Sequence, residues 1–139
     1  MNKEAFKQSQ PVVYQTLSNA LKNSRLAHAY LMTGPKGSNK EEVALLFAQS
    51  LVCQHTDQDG FACQECDSCK RMANNESVDF HWIAPTNGSI KKQDVVQLQS
   101  WFETTSMETG GRRIYVLEAF DTATASSSNS LLKFIEEPA

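Results

Sequence analysis

Ala29-Tyr30-Leu31-Met32-Thr33-Gly34-Pro35-Lys36-Gly37-Ser38-Asn39-Lys40-Glu41 runs a short apolar segment into a glycine-rich turn. Beyond Lys40, the residues Val43, Leu46, Phe47 and Leu51 recur at helical spacing. Residues 28–33 are therefore expected to form a buried strand, residues 34–37 a loop and residues 40–52 a helix. That order is the setting of a phosphate-binding loop, G-x-x-x-x-G-K-[ST]. Gly34, Gly37 and Lys40 stand at positions usual for such a loop. Asn39 replaces the glycine that lets backbone approach phosphate. Glu41 replaces the Ser or Thr whose hydroxyl binds Mg²⁺. A carboxylate there sets negative charge beside the phosphates, a repulsion of about 1 kcal/mol at 4 Å in water and about 4 near a protein surface. The loop reads as a degenerate nucleotide site. The alternative is that Glu41 itself ligates Mg²⁺, as carboxylates do.

Outward from this loop, residues 11–24 place Val13, Leu17, Ala20 and Leu21 on one helical face, with Pro11 suited to a first turn. Residues 80–84 read as a second strand ended by Pro85. Residues 91–106 read as a helix carrying Val95, Leu98 and Phe102, followed by a turn at Gly110-Gly111. Residues 114–117 are uninterruptedly apolar, which predicts a central strand. Asp121 is expected to cap a last helix that carries Leu131, Leu132, Phe134 and Ile135 and stops at Pro138. Alternating strands and helices imply an α/β domain built on a parallel sheet. Three strands would leave its edges poorly covered, so the chain is expected to be the N-terminal part of a longer protein. The third strand leads into Glu118-Ala119, where an active ATPase of this kind carries Asp-Glu. Glu118 can contact magnesium, but Ala119 cannot activate water, and general-base help is typically worth about 10²- to 10⁴-fold.

All four cysteines fall in one polar stretch, as Cys53-x9-Cys63-x2-Cys66-x2-Cys69. Two short spacings let one turn present three sulfurs, and the long arm returns to the end of the preceding helix. Four thiolates make a closed tetrahedral Zn²⁺ site with a structural role; an iron–sulfur centre uses similar spacings and stays open as an alternative. His55 and His81 are further candidate ligands that four sulfurs make unnecessary. The chain has 139 residues, 40% hydrophobic and 21% charged, with a net charge of -3, which argues against a strongly basic nucleic-acid binder. The polar first ten residues hold no secretory signal, and no apolar run reaches the roughly 18–20 residues of a membrane span. A cytoplasmic location is expected. Lys70-Arg71, Lys91-Lys92 and Arg112-Arg113 read as solvated element ends, and Trp82 and Trp101 as packing residues.

Several segments together resemble the clamp-loader branch of the AAA+ ATPases. They are the run from Leu26 into Gly34, the four-cysteine stretch at residues 53–70 directly after the loop helix, and Val78-Asp79-Phe80-His81. The most specific is Asn129-Ser130-Leu131-Leu132-Lys133-Phe134-Ile135-Glu136-Glu137-Pro138, which is similar to the family's Asn-Ala-Leu-Leu-Lys-Thr-Leu-Glu-Glu-Pro. The resemblance implies a P-loop NTPase-like, three-layer parallel sheet, incomplete here, with a small inserted zinc module. Within the family, delta-prime-type subunits keep the zinc module and lose the phosphate loop, whereas tau/gamma-type subunits bind ATP. The resemblance thus implies a non-hydrolysing subunit in a hetero-pentamer with tau/gamma- and delta-type subunits. Such an assembly acts on a sliding clamp and primer-template DNA. ATP and Mg²⁺ are not expected as cofactors. An active ATPase and a zinc-dependent nucleic-acid-binding module are the competing readings.

Overall fold

The computed structural model describes residues 1–27, 29–35, 37–103 and 113–136. They fall into two compact units, Met1–Glu76 and Ser77–Ala139, each described by itself.

The first unit contains α1 (Lys3–Ser9), α2 (Pro11–Lys22), α3 (Lys40–Ser50) and α4 (Asp67–Ala73). Pro11 occupies the first turn of α2, where its missing N–H costs nothing. Helix α3 starts with Glu41 and Glu42 in its first turn, favourable against the helix dipole. Helix α1 was not expected from the sequence. It is seven residues long and offers a single buried apolar residue, Phe6, so no periodicity announces it. It is capped by Asn2, whose side chain accepts from the Ala5 N–H at 3.1 Å. The core joins Phe6, Tyr14, Leu17, Val43, Leu46 and Phe47 to Phe61, Ala62 and Cys69. Phe6, Tyr14 and Phe61 meet with ring centroids 4.8 to 6.0 Å apart. The cysteine-rich stretch therefore supplies the centre of this core: Phe61 is fully buried.

The strand expected at residues 28–33 is not formed by the described part of it, residues 29–33; His28 lies outside the described residues. A strand needs a neighbour for its backbone groups, and no ladder reaches this segment among the described residues. A local contact takes over instead: the Ala27 N–H donates to the Tyr30 hydroxyl at 3.0 Å. The Tyr30 ring packs edge-on against Phe47, while Leu31 is 79% exposed.

The second unit contains β1 (Phe80–Ile83), α5 (Lys92–Glu103), β2 (Ile114–Leu117), a single 3-10 turn at Phe120–Thr122 and α6 (Ala125–Glu136). β1 and β2 pair in parallel, with Phe80 opposite Ile114 and Ile83 opposite Leu117. Among the described residues the sheet has these two strands, not three, and β2 is half-buried throughout rather than central. Helices α5 and α6 pack together around Val95, Leu98 and Leu131, with Ile83, Trp101, Tyr115, Leu117, Phe120 and Ile135 around them. Asp94 starts α5 by accepting from the Lys91 N–H at 2.8 Å. The last residues expected in α5 (104–106), the Gly110-Gly111 turn and Pro138 lie outside the described residues.

Asp121 does not cap α6. It sits in the 3-10 turn, and Thr124 takes the cap: its Oγ1 accepts from the Ser127 N–H at 3.1 Å. Buried Ser127 then donates to the Ile90 carbonyl at 2.9 Å. Three residues of separation decide this, because only Thr124 reaches the third N–H of the helix. Replacing Thr124→Ala is expected to cost about 1 kcal/mol of stability, within the usual loss of an N-cap. Asp121→Ala is expected to stay within about 0.5 kcal/mol, as for an ordinary surface change. Denaturant unfolding followed by circular dichroism compares the two; equal losses would restore Asp121 as the cap.

Candidate functional site

The four cysteines converge. Their sulfurs all lie within 4.8 Å of one another, with Cys53 to Cys63 at 3.7 Å and Cys53 to Cys66 at 3.9 Å. Sulfurs placed about 2.3 Å from a zinc ion at the corners of a regular tetrahedron are about 3.8 Å apart. A disulfide needs about 2.05 Å, so these four sulfurs have the spacing of metal ligands rather than of oxidised pairs.

Local structure explains the convergence. Cys53 follows the end of α3, and its N–H donates to the Gln49 carbonyl at 2.9 Å. Cys63 and Cys66 flank a turn in which Gln64 adopts a left-handed backbone, φ 66°. Cys66 precedes α4, and Cys69 sits buried inside it. Backbone donors point at the sulfurs. Cys53 Sγ accepts from the N–H groups of His55 (3.3 Å) and Cys63 (3.5 Å). Cys63 Sγ accepts from Glu65 (3.4 Å) and Cys66 (3.3 Å). The Glu65 N–H does most to draw the Cys63 thiol down from 9.0 to about 6. Burial pushes the Cys69 thiol the other way. Negative charge on Cys63 is favoured by the N–H groups gathered there and on Cys69 is disfavoured by burial; metal binding requires the thiols deprotonated. His55 contributes its backbone N–H and not its ring, and His81 stacks on Trp101 at 4.2 Å in the other unit. Neither belongs to the sulfur cluster.

A second turn locks the long arm of this stretch. Asp57 Oδ1 accepts from the N–H groups of Asp59 (2.9 Å) and Phe61 (3.0 Å), and Lys3 Nζ reaches Asp57 Oδ2 at 3.0 Å. Tyr14 donates its hydroxyl to Asp59, and Ser18 donates to the Asp59 carbonyl at 2.7 Å. Gly60 has φ +89°, and a Cβ there would come within 3.0 Å of the Leu21 Cβ. Only glycine lets the loop lie this close to α2. The turn thereby delivers Phe61 to the core. Sequence reasoning missed it, although Asp57-Gln58-Asp59-Gly60 carries the turn residues that signal one.

The glycine-rich segment at residues 34–41 lies in the same unit. Lys36 is outside the described residues. Lys40 begins α3, and its ammonium lies 3.7 Å from the carboxylate of Glu41. The Ser38 hydroxyl fills the space beside Gly34: a Cβ on Gly34 would lie 2.7 Å from it. Gly37 has φ +89°. Glu118 and Ala119 belong to the second unit. The Glu118 carboxylate accepts from the Trp82 indole N–H at 3.1 Å, and Ala119 takes a left-handed backbone, φ 52° and ψ 51°. Of the basic pairs, Lys70 and Arg71 are exposed at the end of α4, Lys91 donates to the Thr86 carbonyl, and Arg113 donates to the Trp101 carbonyl at 2.9 Å and packs over its ring. Arg112 lies outside the described residues.

Comparison with known proteins gives this arrangement its context. Residues 9–139 match the family described as DNA polymerase III, delta subunit. The chain belongs to that family. A DNA polymerase III subunit delta' of Bacillus subtilis is 40% identical over 129 residues, covering 93% of this chain and 38% of the relative. A subunit delta' of Pseudomonas aeruginosa is 34% identical over 113 residues, 81% of this chain and 34% of the relative. DNA polymerase III subunit tau of Bacillus subtilis is 30% identical over 127 residues, 91% of this chain and 22% of the relative. The chain thus spans well under half the length of these relatives. Among the described residues of this delta-family chain, no helix is long and apolar enough to cross a membrane.

The Asp57 turn yields a pH-dependent expectation. Partial burial raises the Asp57 pKa, but the Lys3 ammonium and the two N–H groups outweigh it, so the net shift is downward from 3.8. A lowered carboxylate pKa adds stability that is present above the ordinary value and lost as pH falls through the folded one. Asp57→Ala is expected to lose about 1–3 kcal/mol at neutral pH. The gap to wild type should shrink as pH falls below about 4. Urea unfolding across that range measures it; a gap that does not change with pH would remove the charge from the explanation.

Proposed function

We propose that this chain is part of a non-hydrolysing, delta-prime-type clamp-loader subunit, with a structural Zn²⁺ held by Cys53, Cys63, Cys66 and Cys69. It works in the cytoplasm, in DNA replication, in a hetero-pentamer with tau/gamma- and delta-type subunits. That assembly places a sliding clamp on primer-template DNA. The residues 53–70 act as a small inserted metal module on an AAA+ domain of P-loop NTPase type.

The observation that carries the non-hydrolysing part is the pairing of Lys40 with Glu41 at 3.7 Å. The lysine that would meet phosphate already faces a carboxylate, and that carboxylate stands where a magnesium-binding hydroxyl belongs. A phosphate entering beside Gly34, Gly37 and Lys40 meets repulsion from Glu41. The Ser38 hydroxyl also occupies the space beside Gly34. Glu118 is engaged by Trp82, and the methyl of Ala119 offers no base. The four sulfurs favour a structural over a catalytic ion, since four protein ligands leave no open position for substrate. A bound ion's chemistry would be to neutralise the four thiolates and hold α3, the Asp57 turn and α4 in one arrangement.

The 30% identity to a subunit tau favours a second reading, an active ATPase in which the carboxylate of Glu41 replaces the hydroxyl as a Mg²⁺ ligand. One purified sample separates the two. Elemental analysis is expected to give about one zinc per chain. Titration with a fluorescent ATP analogue and Mg²⁺ is expected to give no saturable binding. Replacing Asn39→Gly together with Glu41→Thr should gain roughly tenfold or more in nucleotide affinity, the scale of one removed charge repulsion. Micromolar, magnesium-dependent binding by the unaltered chain would sink the non-hydrolysing reading. Iron in place of zinc would overturn the account of the cysteines.

A further inference from the structure

The last turn of α3 hides two polar side chains that the reading above does not use. Gln49 is 3% exposed and Ser50 is 7% exposed. Burying an amide and a hydroxyl is unfavourable unless each finds a partner. Both find partners in the cysteine-rich stretch. Gln49 Nε2 donates to the Cys69 carbonyl at 2.9 Å, and the backbone carbonyl of Gln49 accepts from the Cys53 N–H at 2.9 Å. One residue thus holds the first and last sulfur-bearing residues at a set separation. Ser50 Oγ donates to the Leu46 carbonyl at 2.7 Å and accepts from the Ala62 N–H at 2.8 Å. Ala62 immediately precedes Cys63, whose own N–H points at Cys53 Sγ at 3.5 Å.

We propose that Gln49 and Ser50 are positioning residues of the four-sulfur metal centre. They set where Cys53, Cys63 and Cys69 stand before an ion arrives. The inference rests on the metal-binding reading. Gln49 spans the long loop from 53 to 69, and Ser50 fixes the approach to Cys63 from a helix that does not itself carry a ligand. Outer partners that orient metal ligands are typically worth about 10- to 100-fold in metal affinity.

The test uses the intact chain and three variants. Gln49→Met keeps the volume and removes the N–H donor. Ser50→Ala removes the hydroxyl, and Ser50→Thr keeps it. Zinc affinity is measured by competition with a chromophoric chelator, and coordination geometry by the absorption of bound cobalt(II). Far-UV circular dichroism of the metal-saturated proteins reports helix content. Gln49→Met and Ser50→Ala are each expected to weaken zinc binding by about 10- to 100-fold and to shift the cobalt bands, with helix content unchanged. Ser50→Thr should bind close to the unaltered chain. Wild-type zinc affinity and wild-type cobalt bands in both Gln49→Met and Ser50→Ala would overturn the inference and leave these residues as packing alone. Should Ser50→Ala fail to fold, the Gln49→Met comparison decides by itself. Failure of the unaltered chain to give sulfur-to-cobalt charge-transfer absorption would overturn the metal reading itself, and this inference with it.

Discussion

Four sulfurs gathered within 4.8 Å are the constraint on which the first unit depends. Their meeting and the Asp57 turn together arrange the segment between the end of α3 and α4. Cys53 ends one arm, Cys69 sits in the helix that ends the other, and the segment between them turns back to place Phe61 among Phe6, Tyr14 and Leu17. A stretch of this polarity would not otherwise bury an aromatic ring. It has few apolar residues of its own to offset the entropy of ordering some fifteen or more residues, about 1–2 kcal/mol each. Backbone N–H groups point at the Cys53 and Cys63 sulfurs, and at Cys63 they favour the thiolate.

How much of this the residues disclose in advance depends on whether the signal is local. The cysteine spacing is local and was legible: two x2 gaps and one long arm bring the same four sulfurs together. Helices α2, α3 and α5 were legible from apolar periodicity to within a few residues. Phe61 was not, because nothing in its neighbourhood marks it as core; its partners are Phe6 and Tyr14, far back along the chain. Gln49 and Ser50 were equally hidden, since a polar residue at a helix end is ordinarily a surface residue. The strand expected at residues 28–33 illustrates the converse failure. Apolar continuity there is real, but a strand is made by its neighbour, and here the Tyr30 hydroxyl instead accepts from the Ala27 N–H. The cap of α6 went to Thr124 rather than Asp121 for a reason of register that composition does not carry.

In the glycine-rich segment at residues 34–41 the electrostatics are decided by adjacent residues. Lys40 and Glu41 are neighbours in sequence and partners in space. Both are partly exposed, so the pair adds little to stability. Its effect falls on what else can approach. A lysine already facing a carboxylate presents a weaker field to an incoming anion, and the carboxylate adds repulsion of its own. In the second unit the Glu118 carboxylate accepts a hydrogen bond from the Trp82 indole N–H.

The ring contact between Phe6 and Phe61 has a kinetic side. Contacts distant in sequence are slow to form, because the intervening loop must close before the contact rewards it. An ion tying Cys53 to Cys69 would shorten the search: with the sulfurs joined, Phe61 would sit on a small preformed turn with only its approach to α1 and α2 remaining. An ion that joined them early would act as a catalyst of folding as well as a fastener. The speed at which this unit matures after synthesis would then follow the cell's free metal supply.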